Sequence, residues 1–202
     1  MDRGVLSQVV ASYYDGFRDR LLDDYRNGNV RVSRALTFAA EALGGAKSVL
    51  DIGCGIGWTT HELSKPGVWV TGLDISPDLI KTARGLFPLC DFICADFTQV
   101  GLSEGFDAVV MVDVYEHFPR ELRPVVHDKL RSLLGERLVM TVPTPEALQY
   151  ARDRGIPLQL VDEDVTQEDV EQLAADIGGK VEINELVSIW RPDDYRHVLI
   201  VR

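Results

Sequence analysis

The sequence predicts an α/β fold: a mostly parallel sheet with helices on both faces, ending in an antiparallel hairpin. Three observations carry this expectation. Five short β-branched runs alternate with helix-patterned segments between residues 48 and 143. Parallel neighbours need a crossover between them, and a helix is the usual one. The first run ends in clustered glycines, as a strand does when a tight turn leads into a helix. Two long strand-like runs near the end of the chain are separated only by Arg191-Pro192-Asp193-Asp194, a turn short enough for antiparallel pairing.

Taken in order, residues 6 to 25 read as helix, with Tyr13, Tyr14 and Phe17 on or near one face, and Gly28-Asn29 breaks it. Val32, Ala35, Leu36, Ala39 and Leu43 make the apolar stripe of a second helix, stopped by Gly44-Gly45. The strand runs are Ser48–Ile52, Val68–Leu73, Asp91–Ala95, Phe106–Val112 and Arg137–Val142. Ser76 is an N-cap candidate with Pro77 at the first helical position, followed by Leu79, Ile80, Ala83 and Leu86. Pro119 to Leu134 is helical, and Pro124 fits only if the regular turns begin close to it. Glu146 to Arg154 reads as a short helix. Thr166 and Asp169 resemble a capping box for a helix that Gly178-Gly179 ends. The closing strands are Lys180–Trp190 and Tyr195–Val201.

The expected organisation is a single domain over residues 1–202. It divides into a helical cap (1–45), a core (46–143), an insertion (144–165) and a C-terminal helix with hairpin (166–202). A chain of this length buries roughly 70% of its unfolded surface and needs no staples. Acidic residues outnumber basic ones 32 to 21, a net charge of −11. Such a surface repels phosphate backbones, which argues against a nucleic-acid partner. The longest apolar run, Ala108 to Val112, falls far short of the ~20 residues of a membrane helix. The start, Met1-Asp2-Arg3-Gly4, shows no apolar stretch or cleavage site, so a cytoplasmic protein without a membrane partner is expected. The three cysteines, Cys54, Cys90 and Cys94, form no CxxC pair and are expected as buried or partly buried thiols.

Chemistry concentrates at Val49-Leu50-Asp51-Ile52-Gly53-Cys54-Gly55-Ile56-Gly57. Asp74 ends the second strand run, and Asp96, followed by Phe97, ends the third. This outlines a nucleoside at the carboxyl edge of a parallel sheet. Glycines let the backbone approach the ligand, one acid accepts from ribose hydroxyls, and another accepts from an exocyclic amine. A nicotinamide dinucleotide and S-adenosylmethionine both fit. The dinucleotide fingerprint is GxGxxG, whereas here the third glycine comes one residue early and Trp58 takes the sixth position. Asp51 would repel a pyrophosphate and attract a cationic ligand.

The sequence resembles the class I S-adenosylmethionine-dependent methyltransferases. The likeness rests on the Asp51–Gly57 segment, on Gly72-Leu73-Asp74-Ile75-Ser76, on Cys94-Ala95-Asp96-Phe97, and on Phe106–Val110 leading to Asp113-Val114-Tyr115-Glu116-His117-Phe118. It implies a Rossmann-like seven-stranded sheet with the last strand inserted antiparallel, S-adenosylmethionine as cofactor, and methyl transfer to an O or N nucleophile of a small molecule. The implied cofactor contacts are Asp51, Gly53, Cys54, Gly55 and Gly57 around the methionine part, Asp74 on ribose, Ile75 on adenine, and Asp96 with Phe97 at the adenine amine. Val112 and Asp113 face the reactive end, and Tyr14 and Arg31 (or Tyr13) close over it. The acceptor pocket falls to the N-terminal helices, the loop after Asp113 and the insertion.

His117 is the candidate catalytic residue, a general base whose pKa lies near neutrality; the alternative is a histidine bonding a loop carbonyl. Asp113, Glu116 and His117 also resemble the ExxEH metal motif of some O-methyltransferases, with Asp113 in place of the first Glu and His127 as a conceivable fourth ligand. No metal is assigned, because the same Glu-His pair occurs in metal-free relatives. A metal-dependent O-methyltransferase and a non-catalytic cofactor-binding subunit are the alternative functions. Trp58, Trp69 and Trp190 are expected as packing residues. The seven acids from Asp162 to Asp176 are expected as a solvated helix face or as a lid selecting cationic substrates.

Overall fold

The computed structural model describes residues 3–102 and 105–202. The chain start, Met1-Asp2, lies outside the described residues. One sheet holds seven strands: β1 (Ser48–Ile52), β2 (Trp69–Asp74), β3 (Asp91–Cys94), β4 (Phe106–Val112), β5 (Leu134–Pro143), β6 (Lys180–Val187) and β7 (Tyr195–Val201). Their spatial order is β3-β2-β1-β4-β5-β7-β6. The first five are parallel, and β7 runs antiparallel between β5 and β6.

Alternation along the strands divides the core between two faces. Leu50, Ile52, Val109, Met111, Leu138 and Met140 pack under α6 (Arg123–Leu133) and α8 (Gln167–Ile177). Val49, Val70, Ala108, Val110 and Val139 pack under α3 (Val30–Ala42), with Leu63 of α4 (Trp58–Leu63). Helix α5 (Pro77–Leu86) covers β3 through Ile80, Ala83 and Phe92. The expected caps form. The Ser76 side chain accepts from Leu79 N–H with Pro77 in the first turn, Thr166 and Asp169 close a capping box, and Gly178 ends α8 in the left-handed conformation. Helix α6 begins at Arg123, after a 3-10 turn at Arg120–Leu122, so Pro124 sits where its missing N–H costs nothing.

Two expectations need correction. The helix expected over residues 6 to 25 is two helices, α1 (Arg3–Asp15) and α2 (Arg18–Asn27). Gly16 and Phe17 N–H turn back to the Tyr13 and Tyr14 carbonyls, and the Tyr13, Tyr14 and Phe17 rings cluster at the corner. Asp15, the last residue of α1, accepts from Ser76 Oγ at 2.5 Å. The strand expected to reach Trp190 stops at Val187. Beyond it, the buried Asp194 carboxylate accepts from Ile189, Trp190 and Arg191 N–H at 2.7, 3.0 and 3.1 Å and curls the chain into a tight connection. Trp190 is thereby 61% exposed, with its ring edge-on to Tyr195, and Trp69, at the start of β2, is 73% exposed, so neither is buried in the core. Cys94 is also exposed, while Cys54 is buried. Among the described residues no helix is long and apolar enough to cross a membrane.

Asp194→Ala strands three backbone donors in this connection. We expect a loss of about 2–4 kcal/mol in urea unfolding; a loss below about 1 kcal/mol would show that the connection holds without it.

Candidate functional site

The strand order reverses between β1 and β4, so the loops after them diverge and leave a crevice at the carboxyl edge. A cavity of about 590 Å³ fills that crevice. Its floor includes Gly53, Cys54, Gly55, Asp74, Ile75, Asp96, Phe97, Val112 and Asp113. Its roof comes from α1 through Leu6, Val9, Val10 and Tyr14, from Phe17 at the corner and from α2 through Leu21, and its far wall from Phe118, Leu122 and residues 159–161.

The glycine turn is built by hydrogen bonds that leave no room for ordinary backbone. Gly53 and Cys54 N–H both donate to the Leu73 carbonyl, at 2.7 and 3.1 Å. Gly53 and Gly55 adopt φ of +70° and +56°, a region that L side chains rarely occupy. Asp74 then fastens the turn: one carboxylate oxygen accepts Gly55 N–H at 2.9 Å and the other Ser76 N–H at 2.8 Å. Burial raises the Asp74 pKa against the pull of these hydrogen bonds.

Two residues expected at the cofactor lie outside the cavity. Asp51 is 1% exposed and accepts from Thr60 Oγ1 at 2.6 Å, so its carboxylate anchors α4 beneath the turn. Gly57 has φ +83°, and a Cβ there would drive into the Phe92 ring and Ala83, so packing requires its glycine. Trp58, expected as a packing residue, packs edge-on against Tyr25 and also lines the cavity.

Asp96 is the most heavily bonded acid of the site. One oxygen accepts from Thr98 N–H and Oγ1, at 2.8 and 2.7 Å. The other accepts from Ser7 Oγ of α1 and from Gln99 Nε2, at 2.5 and 2.8 Å. Burial opposes ionisation, but these donors outweigh it and hold the Asp96 pKa below the usual carboxylate range. Ser7 and Gln99 were not singled out in the sequence. The Leu6, Val9, Val10, Tyr13 and Tyr14 spacing of α1 was the readable sign that this helix has a face to bury.

At the other end Arg31 forms an ion pair with Asp113 and lies over the Tyr195 ring. Asp113 holds φ +55°, with its N–H on the Thr141 carbonyl; Asp tolerates this region better than most residues. His117 Nδ1 lies 2.7 Å from the Val161 carbonyl oxygen and 3.2 Å from Asp162 Oδ1. Its Nε2 lies 3.9 Å from Glu116 Oε1, and its ring is 5.9 Å from that of Tyr14. Burial pulls the His117 pKa down, but the Glu116 charge, the Asp162 hydrogen bond and the Val161 carbonyl together raise it. Glu116 is buried and its own pKa is raised by desolvation. The Tyr14 hydroxyl is held far above its ordinary range by burial and by the Glu116 and Asp162 charges.

His127 points elsewhere: Nε2 meets the Tyr115 hydroxyl at 2.8 Å and Nδ1 meets Asp176 at 2.7 Å. Among the described residues no three His, Cys, Asp or Glu converge as a metal site. Of the acids between 162 and 176, Glu168 and Glu171 lie on the exposed face of α8, as expected, while others are paired. Asp169 binds Arg120 and Arg123, Asp164 binds Arg152, Asp176 binds His127, and Asp162 faces His117.

The fold is that of solved S-adenosylmethionine-dependent methyltransferases. Residues 49–137 match the family described as a methyltransferase domain. The chain is 35% identical over 91 residues to the ubiquinone biosynthesis O-methyltransferase of Xanthomonas campestris pv. campestris (strain B100), covering 42% of this chain and 37% of that one. It is 35% identical over 101 residues to the enzyme of the same name from Klebsiella pneumoniae, covering 46% and 41%. The chain thus spans about two-fifths of the length of these relatives. Its fold resembles magnesium protoporphyrin IX methyltransferase from Synechocystis PCC 6803 with bound S-adenosylhomocysteine, at TM-score 0.73 and 23% identity over 96% of this chain and 99% of that one. A TehB-like S-adenosylmethionine-dependent methyltransferase from Corynebacterium glutamicum gives 0.71 and 20% over 95% and 98%.

The Asp51 carboxyl has its pKa pushed up to about 7, chiefly by burial. An unfolded aspartic acid loses its proton near pH ~4. Between these limits the native state binds the extra proton, so Asp51 costs stability progressively as pH rises toward 7. Asp51→Asn still accepts from Thr60. It should raise the melting temperature more at about pH 8 than at about pH 5. An advantage that does not grow with pH would count against this account.

Proposed function

We propose that this chain transfers a methyl group from S-adenosylmethionine to an oxygen or nitrogen nucleophile of a small molecule. The observation that carries the reading is one continuous cavity: the glycine turn and the acids Asp74 and Asp96 lie on its floor, and Tyr14 and His117 lie on its walls. The volume of about 590 Å³ suits a small-molecule site.

The floor fits a nucleoside bearing an amino-acid tail. Gly53 and Gly55 keep the floor free of side chains where the tail would lie. Asp74 offers lone pairs to the ribose hydroxyls beyond the two backbone donors it already serves. Ile75 and Phe97 flank the adenine, with Asp96 beside its amine. Val112 and Asp113 border the reactive end, and Arg31 and Tyr14 close over it from the helical cap. Cys54 contributes through its backbone. Asp51 and Gly57 act one layer below, by holding the turn in shape.

When bound, the cofactor supplies a sulfonium methyl: the acceptor's electron pair bonds to the methyl carbon while the carbon–sulfur bond breaks and its pair stays on sulfur. The chain's own contribution is alignment and exclusion of water, worth several kcal/mol. A hydroxyl acceptor must also lose its proton, and His117 is the group placed to take it. The roof and far wall are mainly apolar, through Val9, Val10, Phe17, Phe118 and Leu160, so the acceptor carries an apolar body behind its nucleophile. The name of the O-methyltransferase relatives supports an oxygen acceptor. Free cysteines, one of them exposed, support a reducing, cytoplasmic setting.

Calorimetry with S-adenosylhomocysteine tests the cofactor half. Asp74→Ala should weaken binding by about 1.5–3 kcal/mol while the protein stays folded, and unchanged affinity would remove Asp74 from the ribose. Transfer of labelled methyl groups to a panel of apolar phenols and amines tests the reaction. Binding without turnover on any of them would favour a non-catalytic cofactor-binding subunit. On an accepted phenol, His117→Gln should lower kcat by about 10²–10⁴-fold with cofactor affinity intact.

A further inference from the structure

We propose that Asp162, on the insertion, is a positioning residue that fixes His117 with its proton on Nδ1 and leaves Nε2 free to take a proton from the acceptor. The inference rests on the methyltransferase reading of the same cavity.

Three contacts carry it. The Val161 carbonyl oxygen, 2.7 Å from Nδ1, can only accept, so Nδ1 must donate to it. Asp162 Oδ1 lies 3.2 Å from the same nitrogen and reinforces that choice. The other Asp162 oxygen accepts Gln159 N–H at 2.7 Å, which ties the carboxylate to the strip that forms the cavity wall. In addition, Glu163 N–H donates to the Glu116 carbonyl at 2.9 Å and fastens the insertion to the turn that bears His117. The side chains of His117 and Asp162 are 13% and 8% exposed, so little water competes for the contact.

A neutral imidazole with Nδ1–H has its lone pair on Nε2. In the transfer step the acceptor O–H proton would pass to Nε2 as the oxygen bonds to the methyl carbon. Asp162 would stabilise the imidazolium so formed and take up no proton itself. The other groups facing the ring act in the same sense or are neutral: Glu116 on its own turn is an acid, and Tyr14 of α1 keeps its proton. Arg31 of α3 acts on Glu116 and tempers its charge. The insertion thus builds the acceptor wall with residues 159–161 and orients the base with Val161 and Asp162. A base oriented by a buried acid is a recurrent catalytic device.

The test uses the full chain with ¹⁵N-labelled histidine. Two-bond proton–nitrogen spectra report the tautomer and titration of each ring, and His117→Gln identifies the His117 signals. We expect wild-type His117, when neutral, to carry its proton on Nδ1. Asp162→Asn should move its titration midpoint to lower pH and increase the Nε2–H form, and Asp162→Glu should restore part of both. Circular dichroism and S-adenosylhomocysteine affinity should stay at wild-type values in Asp162→Asn. A wild-type Nε2–H tautomer, or a midpoint and tautomer unmoved in Asp162→Asn, would overturn the positioning role alone. Wild-type protein that binds no S-adenosylhomocysteine would overturn it together with the cofactor reading.

Discussion

The carboxylate of Asp74 holds together three pieces of chain that would otherwise part at the edge of the sheet. One oxygen takes the Gly55 N–H of the turn after β1, and the other takes the Ser76 N–H at the cap of α5. Ser76 in turn binds Asp15 at the end of α1. The glycine turn and the start of α5 therefore share one buried group, and Ser76 extends the link to the roof. Losing it would leave backbone donors unpaired in a region with little water to replace it, and the glycine turn has no side chains of its own to hold its shape.

The site gathers acids at a cost. Asp51, Asp74 and Glu116 are all buried, and burial raises the pKa of each. Such groups persist where their hydrogen bonds organise backbone or where their charge serves a ligand. Asp51 and Asp74 organise the turn. Glu116 has a buried oxygen, Oε2, with no hydrogen bond among the described residues, and its charge bears on His117. A net charge of −11 adds to the local repulsion, so Arg31, Arg120, Arg123 and Arg152 are spent on pinning acids near the cavity.

Closure of the cavity is the work of segments at opposite ends of the core sequence. Helix α1 is latched by Ser7 on Asp96 and by Asp15 on Ser76. The insertion is latched by Val161, Asp162 and Glu163 on the turn after β4. Both latches end on loops that follow parallel strands, where the reversal of strand order opens the crevice. The roof and far wall of the cavity thus come from the N-terminal helices and residues 159–161, and the sheet edge supplies its floor.

The strand runs, the caps at Ser76 and Thr166, the glycine turn and the acids closing β2 and β3 were all legible in the sequence, because each depends on neighbours within a few residues. Periodicity, capping and turn chemistry are local properties. What the sequence could not show was where those acids spend their oxygens. Asp51 looked like a ligand contact, but Thr60, one helix turn into α4, takes it out of the cavity. The early end of β6 was hidden for the same reason: its partner, Asp194, lies outside the segment it reshapes. Asp164 and Asp169, in the acidic stretch from 162 to 176, read as part of a solvated face or a lid until Arg120, Arg123 and Arg152 came to them from elsewhere in the chain. By itself the sequence determined the sheet, its glycine turn and the chemistry of the cofactor edge. Only the tertiary structure decided which acids line the cavity, which lie beneath it, and that residues 161 and 162 meet His117, because those outcomes depend on contacts between residues far apart in the chain.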